Sequence, residues 1–360
     1  MSNSLAVLRS AAGLRQSRTR TAGITASRTA TDLLDSTAAM VDPALHAAVD
    51  SLPGSTRRIA GYHFGWWDAD ERPSGHRPGT ALRPALTLVT AHAIGGSEAT
   101  AAAIPAAVAV ELVHNFSMLH DDATHHDAGR RRRASSSTVF GKTSSVLAGD
   151  ALLTLAFDVL AGTSGSHAAV IRRRLTTAIQ ASIEGQAQDL SFEQRTDVAP
   201  AECPHLHGLK TAELFACACA VGALSAGGTF SDTERYHRYG DQLGLAVQFT
   251  DDILGIWGHP AVTGKPAYAD LAVRKKSAPV VAALASGTPE AAELADLYRR
   301  PQLTPPELAR AAALAEAAGG REWSRQQAAA CLAAALRELL PGRFDNKLRS
   351  LAQLAARGHQ

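Results

Sequence analysis

Apolar residues recur at helical spacing through nearly the whole chain and rarely gather into β-branched runs bounded by turns. No other feature so narrows what it can fold into. The spacing predicts helices over 84–94, 100–122, 144–162, 169–190, 208–227, 231–256, 268–285, 306–318 and 324–340. Pro53-Gly54, Gly95-Gly96, the stretch from Pro301 to Pro306 and Pro341-Gly342 punctuate them. Strands do not alternate with these helices, which excludes a doubly wound sheet, and no fixed-period repeat is present. Alanine fills about one position in five and strengthens the helical expectation. The fold class expected is all-α: a helical bundle forming one domain from residue 33 to 360.

Residues 1–32 are expected to form a disordered basic tail, since 1–31 hold five Arg and no acidic residue. An organellar transit peptide shares that composition. The net charge of +2 argues against a nucleic-acid partner, and without those five arginines the body is at −3. Cys203, Cys217, Cys219 and Cys331 form no C-x-x-C pair and read as small buried residues of a reducing, cytoplasmic protein. No run of eighteen apolar residues occurs, so no integral membrane segment is expected. Of 36 basic residues only six are lysine, which makes the position of each lysine informative.

The chemistry concentrates at two acidic helix ends. Ala106 to Leu119 is an apolar helix that delivers Asp121 and Asp122, followed by His125, His126, Asp127 and the arginines 130–133. Leu243 to Val247 delivers Gln248, Asp251 and Asp252, followed by Gly264-Lys265, Asp270 and Lys275-Lys276. One acidic pair alone is equally well a solvated helix end neutralised by arginines. Two of them, with lysines after the second, suggest facing clusters across a bundle cavity. There Mg²⁺ would hold a diphosphate, with Lys and Arg taking the remaining oxygens.

These residues resemble the trans-polyprenyl diphosphate synthase family (polyprenyl synthetases), and the resemblance runs from Leu34 to Ala356. Arg83-Pro84, Glu184-Gly185-Gln186 with Asp189, and Lys210-Thr211 are further matches. The resemblance implies an isoprenoid synthase bundle around a central cavity and a homodimer. It implies ionisation of an allylic diphosphate and head-to-tail addition of isopentenyl diphosphate, with Mg²⁺ as cofactor and Mn²⁺ as the alternative. By resemblance, Asp121, Asp122, Asp127, Asp251 and Asp252 are the metal residues. Arg130, Lys210, Thr211, Gln248, Lys265 and Lys275 match allylic-diphosphate contacts, Lys210, Gln248 and Lys265 being assigned to the catalytic step. Arg83, His114 and Arg131 match contacts to isopentenyl diphosphate. Phe116, five residues before Asp121, matches the aromatic floor of the product pocket and implies a product between farnesyl and geranylgeranyl length.

Four positions depart from the family pattern. His125 stands where the third aspartate of the first motif falls, and imidazole is a poor Mg²⁺ ligand. Asp127 substitutes if the stretch is read as the longer motif. Gly255 replaces the third aspartate of the second motif. Thr80 replaces a lysine that would bind isopentenyl diphosphate, and Arg132 replaces a glycine. These departures leave two rival readings open. One is a class I terpene cyclase, with Asp251, Gly255 and His259 at cyclase spacing; the other is an impaired partner subunit of a heteromeric synthase. Gly141-Lys142-Thr143-Ser144 lacks the earlier glycine and the strand context of a phosphate loop. Trp66-Trp67 is expected to pack onto the bundle.

Overall fold

The computed structural model describes residues 29–74, 81–124, 129–130, 133–264, 266–340 and 343–358. Its helices follow the predicted periodicity closely. Helix α1 (Ala30–Asp50) takes in the last residues of the expected tail, because Thr29 and Asp32 cap its start reciprocally. Helix α2 (Gly54–Phe64) stops at Gly65, whose φ of 81° favours a residue without a side chain. Helix α3 (Leu82–Ala102) is broken at Gly96 (φ 68°), within the punctuation expected there, and α4 (Ile104–Thr124) leaves it at 84°. Then follow α5 (Lys142–Ala161), α6 (Ala168–Gln194), α7 (Glu213–Ser225) and α8 (Phe230–Trp257). Four more close the chain: α9 (Pro289–Tyr298), α10 (Pro305–Ala317), α11 (Gly320–Arg337) and α12 (Arg343–Ala355). Gly129–Arg130 and Arg133–Ala134 form a two-residue antiparallel pairing, and the architecture is all-α.

Two helices are buried on almost every face and so form the centre. In α4 these are Ala106–Val113, Asn115, Phe116 and Leu119; in α7 every residue from Leu214 to Leu224 is buried. Helix α4 packs against α5, and α7 lies between α8 and α3. A smaller apolar cluster, with Ile256, Leu271, Leu294 and Leu314, joins α9 and α10 to the end of α8.

The expected helix 268–285 is a correction. It is split into Ala269–Ala272 and Ala278–Leu284, with Arg274 at φ 53° between them. Pro279 has no N–H to donate to Lys275 and its ring crowds that carbonyl, which favours a break here. The Lys275 carbonyl accepts instead from the Tyr298 hydroxyl at 3.2 Å. The interruption points the Lys275 side chain back toward the aspartates of α8. Helices α1, α2, α9 and α12 were not among the predicted stretches. Helix α12 docks through Tyr236 Oη on Asp345 (2.9 Å) and Tyr239 Oη on the Leu348 carbonyl (2.8 Å), and carries Gly358 to the cavity rim.

Candidate active site

A cavity of about 750 Å³ opens between α3, α4, α6, α7 and α8. Charged side chains line it, among them Asp121, Asp251, Asp252, Asp270, Lys210 and Lys275, and so do apolar ones, among them Leu82, Phe116, Leu190, Phe215 and Val247. One cavity thus offers both polar groups for a charged head and apolar surface for a hydrocarbon chain.

Lys210 and Thr211 lie on a π-helical turn, Gly208–Ala212, between the short helix Cys203–His207 and α7. Such insertions re-aim side chains and recur at functional sites. The turn comes so close to α6 that a Cβ on Gly185 would lie 2.5 Å from the Lys210 nitrogen. This explains a glycine in the Glu184-Gly185-Gln186 segment. From here Lys210 Nζ reaches Asp121 Oδ1 at 3.2 Å and Asp189 Oδ2 at 2.5 Å. Thr211 Oγ1 donates to Gln248 Oε1 at 2.7 Å, and Gln248 Nε2 donates to Asp252 Oδ1 at 2.9 Å. One turn therefore touches both acidic helix ends.

Asp252 is a buried carboxylate with a full set of donors. Besides Gln248 it accepts the Ala278 N–H at 2.9 Å, and it pairs with His207 Nε2 at 3.1 Å and Lys275 Nζ at 3.4 Å. Burial alone would raise its pKa, but Lys275, His207 and these hydrogen bonds outweigh it and hold the acid far below the usual carboxylate range. Lys275 also lies 3.7 Å from Asp270. Burial works against its charge, but Asp270, Asp252, Asp189 and Asp121 together keep the ammonium well above its ordinary pKa. Lys210 on Asp121 and its neighbour Thr211, linked through Gln248 to Asp252, bring the two acidic clusters to one cavity. Arg83 lies over the Phe215 ring, 4.3 Å from its centre. Burial pulls its pKa down to about 10, against the fields of Glu111 and Asp251.

Of the site residues expected from sequence, Arg83, His114, Phe116, Asp121, Lys210, Thr211, Gln248, Asp251, Asp252 and Lys275 all line this cavity. Asp122 is buried, 2% exposed, and is not among the lining residues. Asp127, Arg131 and Lys265 lie outside the described residues, as do Thr80, His125 and Arg132; Arg130 is described in its backbone only. His259 caps the helix Pro260–Thr263 by accepting from the Ala261 N–H at 3.2 Å, so the cyclase-like spacing ends in a structural role. Phe116 is 5% exposed and meets the His120 ring edge-on at 4.6 Å.

One residue escapes the sequence argument, and a second is named there without a role. His207 stands one turn before Lys210, a spacing that shares a helix face, but only the fold brings it to Asp252. Asp270 fills the space beside Gly255: a Cβ there would be 2.3 Å from Asp270 Oδ2. The residue missing from the second motif is therefore matched by a carboxylate from the next segment.

Among the described residues, no three His, Cys, Asp or Glu side chains converge into a ready-made metal cage. Mg²⁺ commonly uses one or two carboxylates and takes its other ligands from water and substrate phosphates. Asp121 and Asp251, on opposing helices at one cavity, suit that mode.

Residues 74–315 match the sequence profile described as polyprenyl synthetase. The (2E,6E)-farnesyl diphosphate synthase of Mycobacterium bovis is 43% identical over 293 residues, covering 80% of this chain and 81% of that protein. The geranylgeranyl diphosphate synthase of Mycobacterium tuberculosis is 40% identical over 328 residues, covering 90% and 93%. The crystal structure of polyprenyl synthetase from Streptomyces coelicolor superposes with a TM-score of 0.85 at 41% identity, covering 90% of this chain and 99% of that one.

Proposed function

The chain belongs to the polyprenyl synthetase family, and on that footing we propose that it transfers an allylic prenyl group to isopentenyl diphosphate. The product is a linear polyprenyl diphosphate between farnesyl and geranylgeranyl length. The observation that carries this reading is Lys210 and Lys275, each held on carboxylates at one cavity that apolar side chains also line.

Asp121 and Asp251 are the carboxylates best placed for Mg²⁺, which when bound stabilises charge on the leaving diphosphate. Lys210, Lys275, Thr211 and Gln248 supply donors to the same leaving group. Lys210 and Lys275, held at the cavity by Asp121, Asp189, Asp252 and Asp270, would present their ammonium groups to the phosphate oxygens of a bound diphosphate. Arg130 and Lys265 join them, and Arg131 joins Arg83 and His114 on the isopentenyl diphosphate, by their match to the family. Asp122 and Asp127 complete the first motif on the same ground. Leu82, Phe215 and Val247 keep water from the allylic cation, and Phe116 floors the pocket.

The working form is a homodimer in the cytoplasm. Helix α5 is as long and apolar as a membrane span, yet 44% of its most apolar window is buried and Leu147 stays 56% exposed. An apolar helix of that kind calls for cover, and a second copy supplies it.

The test incubates purified protein with dimethylallyl, geranyl or farnesyl diphosphate, with and without isopentenyl diphosphate, under Mg²⁺ or Mn²⁺. Longer diphosphates formed only with isopentenyl diphosphate are expected. Hydrocarbon formed without it would overturn the reading in favour of a cyclase. Light scattering of the same preparation checks the dimer, and a monomer at micromolar concentration would refute it.

A further inference from the structure

His207 reaches the second acidic cluster from beneath, on the strand of chain that also reaches the first. Its Nε2 is 3.1 Å from Asp252 Oδ2, and both side chains are almost wholly buried. The ring makes no other polar contact among the described residues, since the buried Nδ1 has no hydrogen-bond partner. A histidine kept for packing alone leaves its direction open, whereas this ring is aimed. The edge of Phe249 at 4.6 Å holds it, and Phe249 in turn meets Trp323 at 5.8 Å.

The contact matters because of how Asp252 is shared. An ionised carboxylate offers about four acceptor positions. Oδ1 serves Gln248 and Lys275, and Oδ2 serves the Ala278 N–H and His207. The two donors on Oδ2 fix the plane of the carboxylate, and that plane decides where Oδ1 presents itself to Lys275 and Gln248. Ala278 alone is a single pivot about which the group can turn; His207 makes it a two-point hold.

We propose that His207 is a positioning residue for the diphosphate end of the cavity: with Lys210 and Thr211 it forms a strap that sets the two aspartate clusters in register. Lys210 ties the strap to Asp121 and Asp189, while Thr211 and His207 tie it to Asp252, one through Gln248 and one directly. The π-helical turn between His207 and α7 lets all three side chains face inward together. The proposal rests on the prenyltransferase reading for what the site holds, but its readout does not need turnover.

The experiment measures Mg²⁺-dependent binding of inorganic diphosphate by calorimetry. It compares wild type, His207→Phe, which keeps the ring but loses the donor, and His207→Gln, which returns a donor at similar reach. Binding by His207→Phe is expected to weaken about tenfold, roughly 1.4 kcal/mol, and His207→Gln to recover to within about threefold. In turnover, KM for the allylic diphosphate should rise by a similar factor, with KM for isopentenyl diphosphate within about twofold. Should His207→Phe not fold, His207→Asn, whose amide falls short of Asp252, takes its place. Unchanged diphosphate binding in the donor-less variant overturns the proposal, as does equal loss in His207→Gln. Wild type that binds diphosphate in a His207-dependent way but forms no longer prenyl chain refutes the proposed activity and leaves this assignment standing.

Discussion

Restoring the family's third aspartate by Gly255→Asp should harm this protein rather than help it. The place a side chain would take is already filled: a Cβ at 255 lies 2.3 Å from Asp270 Oδ2 and 2.4 Å from its Cγ, well inside contact distance. Asp270 cannot easily withdraw, because it is 8% exposed and its carboxylate helps to hold Lys275 at 3.7 Å. Overpacking of this kind costs about 1–3 kcal/mol. A second carboxylate about 4 Å from the first adds repulsion of up to roughly 4 kcal/mol at an effective dielectric of 20. Rotation of the new side chain toward the cavity relieves part of both, so a net loss of about 2–5 kcal/mol is expected.

Thermal unfolding in chelator measures this directly. For a chain of this length each kcal/mol moves Tm by about 1.3 °C, so Gly255→Asp should melt about 3–7 °C below wild type. Adding Mg²⁺ should narrow the gap, since a cation between the two carboxylates offsets their repulsion. Gly255→Asp combined with Asp270→Ala should lose less than the sum of the single changes, a coupling of about 1–3 kcal/mol. A Tm for Gly255→Asp within 1 °C of wild type in chelator would refute the claim that Asp270 stands in for the missing residue.

Three further outcomes are expected. Thr80→Lys should lower KM for isopentenyl diphosphate by about tenfold, and His125→Asp should raise the rate under Mg²⁺ more than under Mn²⁺; steady-state kinetics of an active preparation decide both, and no change in either removes the account of those departures. Phe116→Ala should lengthen the product by at least one isoprene unit and destabilise the protein by about 3 kcal/mol, because the removed ring is 5% exposed at the cavity wall; chromatography of dephosphorylated products and a denaturant melt check the pair. The thiols should resist labelling: burial pushes Cys203 up to about 12 and Cys331 up to about 11, with the aspartates Asp252 and Asp241 adding to it. At pH 8 roughly one Cys331 in a thousand is thiolate, and native labelling should quicken about tenfold per pH unit up to pH 10; fast labelling of native protein at pH 8 would contradict this.

Much of this arrangement is legible before folding, and the rest is hidden for identifiable reasons. Helix positions survive because burial in α4 and α7 is set by apolar spacing that any reader of the sequence can follow. Lysine scarcity makes Lys210 and Lys275 conspicuous, and both line the cavity. The stretch 268–285 fails because spacing records burial but not donors: Leu271, Ala278, Val280, Val281 and Ala283 are buried, yet Pro279 breaks the hydrogen-bond ladder that would join them. Helix α12 illustrates the opposite loss. Phe344, Leu348, Leu351 and Ala355 carry the stripe of a docked helix, but Pro341-Gly342 reads as a terminus to the pattern rather than a hinge within it.

The pairing of charges is less accessible still. Asp251 and Asp252 are adjacent letters with unlike fates: Asp251 is exposed at the cavity, while Asp252 is 1% exposed and bound by four donors. Adjacent residues on a helix point about 100° apart, so a doubled aspartate sets its two carboxylates in different surroundings. The doubling here buries one charge as an anchor and leaves its neighbour exposed at the cavity. Burial of that anchor is tolerable only because Lys275, His207, Gln248 and the Ala278 N–H converge on it. Those four donors come from three separate stretches of chain, which is why the motif names the anchor but not what holds it. Lys210 meets Asp121 by the same logic, through a π-helical turn that no local pattern announces. What the doubled aspartates encode is thus a division of labour, and the donors that enforce it lie outside the aspartate pairs themselves.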